Sequence, residues 1–255
     1  MLNRKYRKEF EVHYYEINQF EEATPVAVLN YLEETAVAHS ESVGVGISKL
    51  KSQGVAWMLN RWHIKMEKYP LWNEKIVIET WPSRFERFYA TREFNIRDSY
   101  DHIIGRASSL WVFLNIEKKR PLRIPDKIKD AYGTDPHRAI DEPFGELYNL
   151  DDSVEKKEFR VRRSDIDTNN HVNNAKYVDW VLETIPAEIY HNYTLASLEV
   201  LYRKEVAFGA TIWAGCQGIG KGLNPVYAHS IMNQDGNLAL ARTMWQRRNK
   251  NLHTN

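Results

Sequence analysis

Asp165, Asp167, Asn169 and His171 stand at every second position of the run Asp165-Ile166-Asp167-Thr168-Asn169-Asn170-His171-Val172-Asn173-Asn174. Carboxylate, amide and imidazole groups so placed can bind a carbonyl and activate a water. If the segment is extended, the four side chains project to one side, because a strand repeats every two residues. The next residues, Ala-Lys-Tyr-Val-Asp-Trp-Val-Leu-Glu-Thr-Ile-Pro, fit a helix with Asn173 or Asn174 as N-cap and Pro186 as stop. A helix start offers unpaired backbone N–H groups and partial positive charge. A lone Asn-x-His is ordinarily an Asx-rich turn with a solvated histidine. Here the density of the cluster and its place before a helix point to a site.

An internal repeat supplies the elements that must position this cluster. Sliding the chain by 149 positions lays Tyr15–Thr35 over Ser164–Thr184. Identities are few, but Val28, Leu29, Leu32 and Ala36 fall on Tyr177, Val178, Val181 and Ile185, the same helical apolar stripe. Each expected helix, near Pro25–Ser42 and Asn173–Ile185, follows an acidic segment read as extended, Tyr14–Asn18 or Arg163–Asp167. Four strands are expected after each. In the first half they lie near Val55–Leu59, Ile76–Thr80, Phe88–Ile96 and Arg106–Asn115. In the second they lie near Ser197–Lys204, Ala210–Cys216, Val226–Asn233 and Leu238–Arg247, with Asn233-Gln234-Asp235-Gly236 as a hairpin turn. A sheet packed round a single helix is the simplest arrangement of that order, and two such α+β units would pair their sheets like a dimer fused into one chain. The Pro-, Asp- and Gly-rich stretch between them reads as a connector. Under the offset, Asn169 falls on Phe20 and His171 on Glu22, so the first copy lacks the amide–imidazole pair and the chemistry is expected in the second copy alone.

Composition bounds the rest. Hydrophobic residues make up 43% of the 255 positions, enough for a true core, and 35 basic residues against 34 acidic ones give no global reason to expect nucleic acid or membrane surface. The N-terminus, Met-Leu-Asn-Arg-Lys-Tyr-Arg-Lys, does not read as a signal peptide, and no run approaches the ~18 apolar residues of a membrane span. The single cysteine, Cys216, excludes an intramolecular disulfide and suits a reducing cytoplasm. With no His-x-x-x-His or Cys-x-x-Cys pair, no metal site is expected, nor any cofactor.

The run Asp167-x-Asn169-x-His171-Val172-Asn173-Asn174-x-x-Tyr177-x-x-Trp180-x-x-Glu183 resembles the signature of the acyl-acyl-carrier-protein thioesterases of plant plastids and bacteria. Leu198–Glu205 forms a second similar block, and Leu29–Ala36 followed by His39-Ser40-Glu41-Ser42-Val43-Gly44 has the family's look. The resemblance implies a tandem hotdog fold, two antiparallel sheets each wrapped round one helix. It divides the chain into an N-terminal hotdog that binds the acyl chain (1–125), a connector (126–152) and a catalytic C-terminal hotdog (153–255). It implies Asp167, Asn169 and His171 as catalytic positions with Glu205 as their partner carboxylate, and an acyl carrier protein bearing the substrate. Plant relatives often carry Cys after that glutamate. Here Val206 follows, so no thiol nucleophile is available at that place.

Thioester hydrolysis then needs an activated water, for which Glu205 or His171 would be the base; such a base contributes ~10²–10⁴-fold. Backbone N–H groups of Val172 or Asn173 would hold the oxyanion, Asn169 would orient water or thioester, and Asp167 would fix Asn169 or the loop. Acyl-CoA is the nearest rival substrate. A hotdog enoyl hydratase is disfavoured, because its Asp-x-Asn-Pro-x-His places Asp and His five apart, whereas Asp167 and His171 are four apart with no proline. A non-catalytic acyl-binding module is the third reading. Gly215–Gly222 fits Gly-x-x-x-x-Gly-Lys but lacks the following Ser or Thr and helix, so it reads as a hairpin loop. Three basic clusters could dock an acidic carrier: Lys118–Arg120 with Arg123, Lys156-Lys157 with Arg160, Arg162 and Arg163, and Arg247-Arg248 with Lys250. Trp57, Met58, Trp62 and Phe88 are candidates to line an acyl channel, with core packing as the alternative for each. Whether the chain forms a homodimer stays open.

Overall fold

The computed structural model describes residues 5–151, 153–167, 170–220 and 222–248. The chain divides into two compact units, Met1–Pro143 and Phe144–Asn255. Unit 1 runs β1 (Tyr6–Glu11), α1 (Pro25–Ser42), α2 (Ile47–Ser52), β2 (Val55–Met66), β3 (Lys75–Phe85), β4 (Tyr89–Arg97), β5 (Ile103–Asn115), β6 (Arg120–Pro121) and α3 (Asp126–Tyr132). Its strands lie in the order β1-β3-β4-β5-β2, all antiparallel, with the two-residue β6 on β5. Unit 2 runs β7 (Lys156–Arg160), α4 (Asn174–Glu183), α5 (Ala187–Asn192), β8 (Tyr193–Tyr202), β9 (Thr211–Gly218), β10 (Val226–Asn233) and β11 (Gly236–Arg247). Its order, β7-β9-β10-β11-β8, repeats that of unit 1 strand for strand. Each unit is a hotdog, an antiparallel sheet round one principal helix.

Local chemistry explains where those helices begin. The Thr24 hydroxyl caps α1 by accepting from Ala27 N–H at 3.1 Å, and Pro25 occupies the first turn, where no N–H is needed. The stripe Val28, Leu29 and Leu32 is almost wholly buried, each side chain contributing about 1.5–3 kcal/mol by leaving water. Asn173 caps α4 through Oδ1, which accepts from Ala175 N–H at 2.8 Å. The buried face of α4 is Ala175, Tyr177, Val178, Trp180 and Val181.

One expectation about the elements is corrected. The acidic segments before the helices are not strands. Tyr14–Glu16 and Arg163–Asp165 are single 3-10 turns, and the first strand of each unit lies earlier, at β1 and β7. The stretch 126–152, read as a connector, carries the helix α3 and packs on unit 1. Ile128 and Tyr132 of α3 are buried in a cluster with Val45, Leu50, Ala90, Phe113 and Ile124, and the Tyr132 hydroxyl donates to Ser40 Oγ at 2.7 Å. Further on, Trp81 Nε1 donates to the His137 carbonyl at 2.8 Å and Ala139 N–H to the Glu93 carboxylate at 3.1 Å, so this segment closes over unit 1.

Candidate active site

The cluster that opens the chemistry is built on a tight turn rather than an extended strand. After the 3-10 turn, Ile166 and Val172 form an isolated antiparallel bridge, and Asp167 N–H donates to the His171 carbonyl at 2.8 Å. Asn170 takes the left-handed conformation at φ 63°, which Asn tolerates better than most residues, and its N–H donates to the Asp167 carbonyl at 3.1 Å. Asp165, in the 3-10 turn, therefore does not line up with Asp167 and His171 as on a strand. Asp165 is buried, its carboxylate taken up by Arg162: the backbone N–H at 2.7 Å and the guanidinium at 3.1 Å. Asp167 accepts from the His171 N–H at 3.3 Å, which holds the turn. Asn169 lies outside the described residues.

Glu205 reaches the same place from 34 residues away, on the loop after β8. His171 Nε2 lies 3.3 Å from Glu205 Oε2, with side chains 32% and 43% exposed, so water has access to both. The backbone brings them together: Val172 N–H donates to the Val206 carbonyl at 3.0 Å. The pair has the proximity required of an imidazole–carboxylate unit that removes a proton from water.

The two expected oxyanion donors are corrected by the same bonds. Val172 N–H is spent on Val206, and Asn173 N–H donates to the Asp165 carbonyl at 2.8 Å. Neither can point at a substrate oxygen while this turn is intact. They are not free helix-start groups, because they belong to the turn that precedes the helix.

Unit 1 holds a twin of this turn, at the same offset of 149. His13 N–H donates to the Glu16 carboxylate at 2.8 Å, Ile17 bridges Ala23, and Asn18 N–H donates to the Glu22 carbonyl at 2.9 Å. Glu22 N–H reaches Asn18 Oδ1 at 3.3 Å, and Glu21 takes φ 60° where Asn170 takes 63°. The partner loop matches as well. Glu67 and Lys68 N–H both donate to the Ile104 carbonyl, as Arg203 and Lys204 do to Leu238, and Ala23 N–H donates to Pro70 as Val172 does to Val206. Glu22 thus stands at the place of His171, and Tyr69 at that of Glu205. The backbone of the site is present twice, its His–Glu pair once.

Tyr177 and Tyr202 stand in the two family-like blocks, but the sequence gives neither a role beyond the helix stripe and the strand. The Tyr177 hydroxyl donates to the Lys204 carbonyl at 3.2 Å, and the Tyr202 hydroxyl to the Asn174 carbonyl at 3.1 Å. Burial, and then the negative charge of Glu205, push the Tyr177 phenol up, so it stays a protonated donor. Cys216 stands on β9, its thiol donating to the Thr184 carbonyl, and burial pushes that thiol up, away from the reactive thiolate. The Gly-rich stretch joins the antiparallel strands β9 and β10, as a hairpin loop should; Lys221 lies outside the described residues. Among the described residues no group of three or more His, Cys, Asp or Glu is placed to hold a metal ion, and no helix is long and apolar enough to cross a membrane. Of the channel candidates, Trp62 is fully buried in the core against Phe94, Trp57 is partly buried and packs edge-on against Phe113, and Met58 is partly exposed.

Comparison with known proteins agrees with this fold. Residues 3–132 match the model of the acyl-ACP thioesterase N-terminal domain and residues 148–247 that of the C-terminal domain. The chain is 28% identical, over 97% of its length, to a chloroplastic acyl-(acyl-carrier-protein) hydrolase of Cuphea viscosissima. It is 31% identical, over 78% of its length, to a chloroplastic oleoyl-acyl carrier protein thioesterase of Coriandrum sativum. It spans 64% and 59% of the length of those two proteins. Among solved structures, the 12:0-ACP thioesterase of Umbellularia californica superposes with a TM-score of 0.86 at 27% identity, covering 96% of this chain and 95% of that one. An acyl-ACP thioesterase from Bacteroides thetaiotaomicron, 22% identical, shares the fold with the same TM-score of 0.86, over 96% of this chain and 98% of that one.

Proposed function

The chain belongs to the acyl-ACP thioesterase family, and from that membership and the site's geometry we propose that it hydrolyses fatty acyl thioesters of acyl carrier protein. The products are the free fatty acid and the carrier's thiol, which ends elongation of that chain. The observation that carries this reading is the 3.3 Å approach of His171 to Glu205 on a water-accessible turn.

In the proposed reaction the His171–Glu205 pair takes a proton from water as the oxygen bonds to the thioester carbonyl carbon. The tetrahedral intermediate then expels the thiolate, which takes the proton back from the pair, so that no covalent enzyme intermediate forms. With Val172 and Asn173 N–H committed elsewhere, we assign the carbonyl oxygen to the side-chain amide of Asn169. Asp167 holds the turn through the His171 N–H. Unit 1, which keeps the turn but has Glu22 and Tyr69 in place of the pair, is assigned to the acyl chain.

For carrier docking we assign the basic cluster of unit 2. Arg163 lies with its guanidinium 4.6 Å over the ring of Phe208, which is 52% exposed and shares a loop with Glu205. Arg160 is exposed on β7, close by in sequence. A cation stacked on an exposed ring beside the site suits an acidic protein partner. The test is hydrolysis of a panel of acyl-carrier-protein and acyl-CoA thioesters. Turnover on the former is expected to exceed that on the latter; turnover on acyl-CoA alone would reassign the substrate, and turnover on neither would overturn the reading.

A further inference from the structure

The twin turns provide an internal control on what the catalytic copy has added. Both copies share the backbone tie from the turn to the loop, Val172 to Val206 and Ala23 to Pro70. Two side-chain hydrogen bonds go beyond it in unit 2. Tyr177, on α4, donates to the carbonyl of Lys204, the residue before Glu205. Tyr202, at the end of β8, donates in the opposite direction to the carbonyl of Asn174, the first residue of α4. The two rings meet edge to face at 5.5 Å, and Trp180 abuts Tyr177 at 5.4 Å, so neither phenol can swing away without unpacking the other. Glu205 is therefore held on both sides, through Lys204 by a phenol and through Val206 by the Val172 N–H. At the matching places unit 1 has Val28 and Met66, neither of which has a hydroxyl. The hotdog closes without the cross-brace, since unit 1 does so. The brace occurs where the His–Glu pair occurs.

We propose that Tyr177 and Tyr202 are positioning residues for the hydrolysis, a crossed pair of phenols that locks the 203–206 loop to α4 and holds the Glu205 carboxylate against His171. This rests on the functional reading given above. Their work is geometric: a carboxylate on an exposed loop samples many rotamers, and activating one water requires it within hydrogen-bond reach of the imidazole-bound water. Fixing the flanking carbonyls removes backbone motion and leaves only the side chain to be ordered. Neither phenol is asked to touch the substrate.

The test uses Tyr177→Phe and Tyr202→Phe in the full chain, each removing one oxygen from a packed ring. Each is expected to lower kcat by about tenfold, the size of one lost hydrogen bond, while KM for acyl carrier protein stays within about twofold. In a Glu205→Gln background, Tyr177→Phe should cost less than about twofold more, because its effect passes through that carboxylate. A full tenfold loss in that background would show that the phenol serves the fold or another step, and wild-type kcat in both single variants would remove the brace. Amide hydrogen exchange needs no substrate and separates this inference from the activity. Residues 203–208 should exchange faster in each variant, while the twin loop at 67–71 is unchanged. If the wild-type chain hydrolyses no thioester, the functional reading falls, whereas unaltered exchange at 203–208 overturns the brace.

Discussion

The N–H of Val172 donates to the carbonyl of Val206 at 3.0 Å, pinning the residue after His171 to the residue after Glu205. The meeting of the two catalytic candidates is thus a property of the main chain before it is one of the side chains. Unit 1 makes the point independently, since Ala23 and Pro70 form the same bond at 2.8 Å with Glu22 and Tyr69, rather than a histidine and a glutamate, at the places of His171 and Glu205. The scaffold of the site is therefore a general feature of the fold, and the chemistry is decided by which side chains it carries.

If His171 and Glu205 activate one water as a unit, His171→Ala and Glu205→Ala should each cost ~10²–10⁴-fold in kcat. The double variant should cost little more than the worse single one, because groups that act together are not additive. Steady-state kinetics on one acyl-carrier-protein substrate decides it. Multiplicative losses would assign the two residues to separate steps, and near-wild-type turnover in either single variant would remove that residue from the mechanism.

Cys216→Ser should leave kcat within about twofold. The thiol is committed to the Thr184 carbonyl and burial keeps it protonated, so it has neither the charge nor the freedom of a nucleophile. A loss above ~100-fold with an unchanged circular dichroism spectrum would contradict hydrolysis by direct water attack.

Much of this was legible in the chain, and the failures have a common cause. The offset of 149 and the stripe Val28, Leu29, Leu32 were readable because a buried helix face repeats at a fixed period. The start of α1 at Pro25 lies where it was expected, and Thr24 and Pro25, whose capping chemistry is local, fix it. The site turn was not legible, because alternation of polar residues cannot distinguish a strand from a turn that folds the same residues back on their own backbone. Asp165 shows it, ending on Arg162 rather than facing a substrate. The roles of Val172 and Asn173 failed for the same reason, since an N–H near a helix start is free only if no carbonyl from elsewhere reaches it. The Tyr177–Lys204 and Tyr202–Asn174 bonds join positions 27 and 28 residues apart, and no period in the sequence reports such a contact.

Acid should destabilise the protein through two buried histidines. His39 is pushed down to about 3 by burial and then by the adjacent Arg92 guanidinium, whose Nη1 lies 2.9 Å from His39 Nδ1. His229 is pushed down to about 3 by burial between the Thr184 and Thr243 hydroxyls. In the unfolded chain both take up a proton near the ordinary 6.5, whereas the folded state binds it only near 3. Their contribution to stability is therefore complete above the unfolded value and is lost as pH falls from about 6.5 toward 3, by up to about 1.4 kcal/mol per pH unit for each group. Denaturant unfolding at pH 7 and pH 5 should show this loss, and His229→Gln should reduce the difference. A pH dependence identical in wild type and variant would mean that His229 takes up its proton as readily in the folded state as in the unfolded one.

Carrier docking on unit 2 makes a prediction that separates binding from chemistry. On the proposed docking face Arg163 and Arg160 are exposed cations, and Phe208, under the Arg163 guanidinium, adds apolar area on the loop that carries Glu205. Reversing charge at both positions, with Arg160→Glu and Arg163→Glu, should raise KM for acyl carrier protein substrates by about tenfold or more. Hydrolysis of a small thioester with no acidic carrier should change by less than about twofold, because the His171–Glu205 pair is untouched. In the wild type, KM for the carrier substrate should rise with salt as charges are screened over about 10 Å at 0.1 M, and the doubly reversed variant should lose that salt dependence. If KM and its salt dependence survive the reversal, docking does not use this face, and the same reversal at Lys118–Arg123 or Arg247-Arg248 becomes the next measurement. If the small thioester loses turnover in parallel, the arginines act on the turn itself rather than on the carrier.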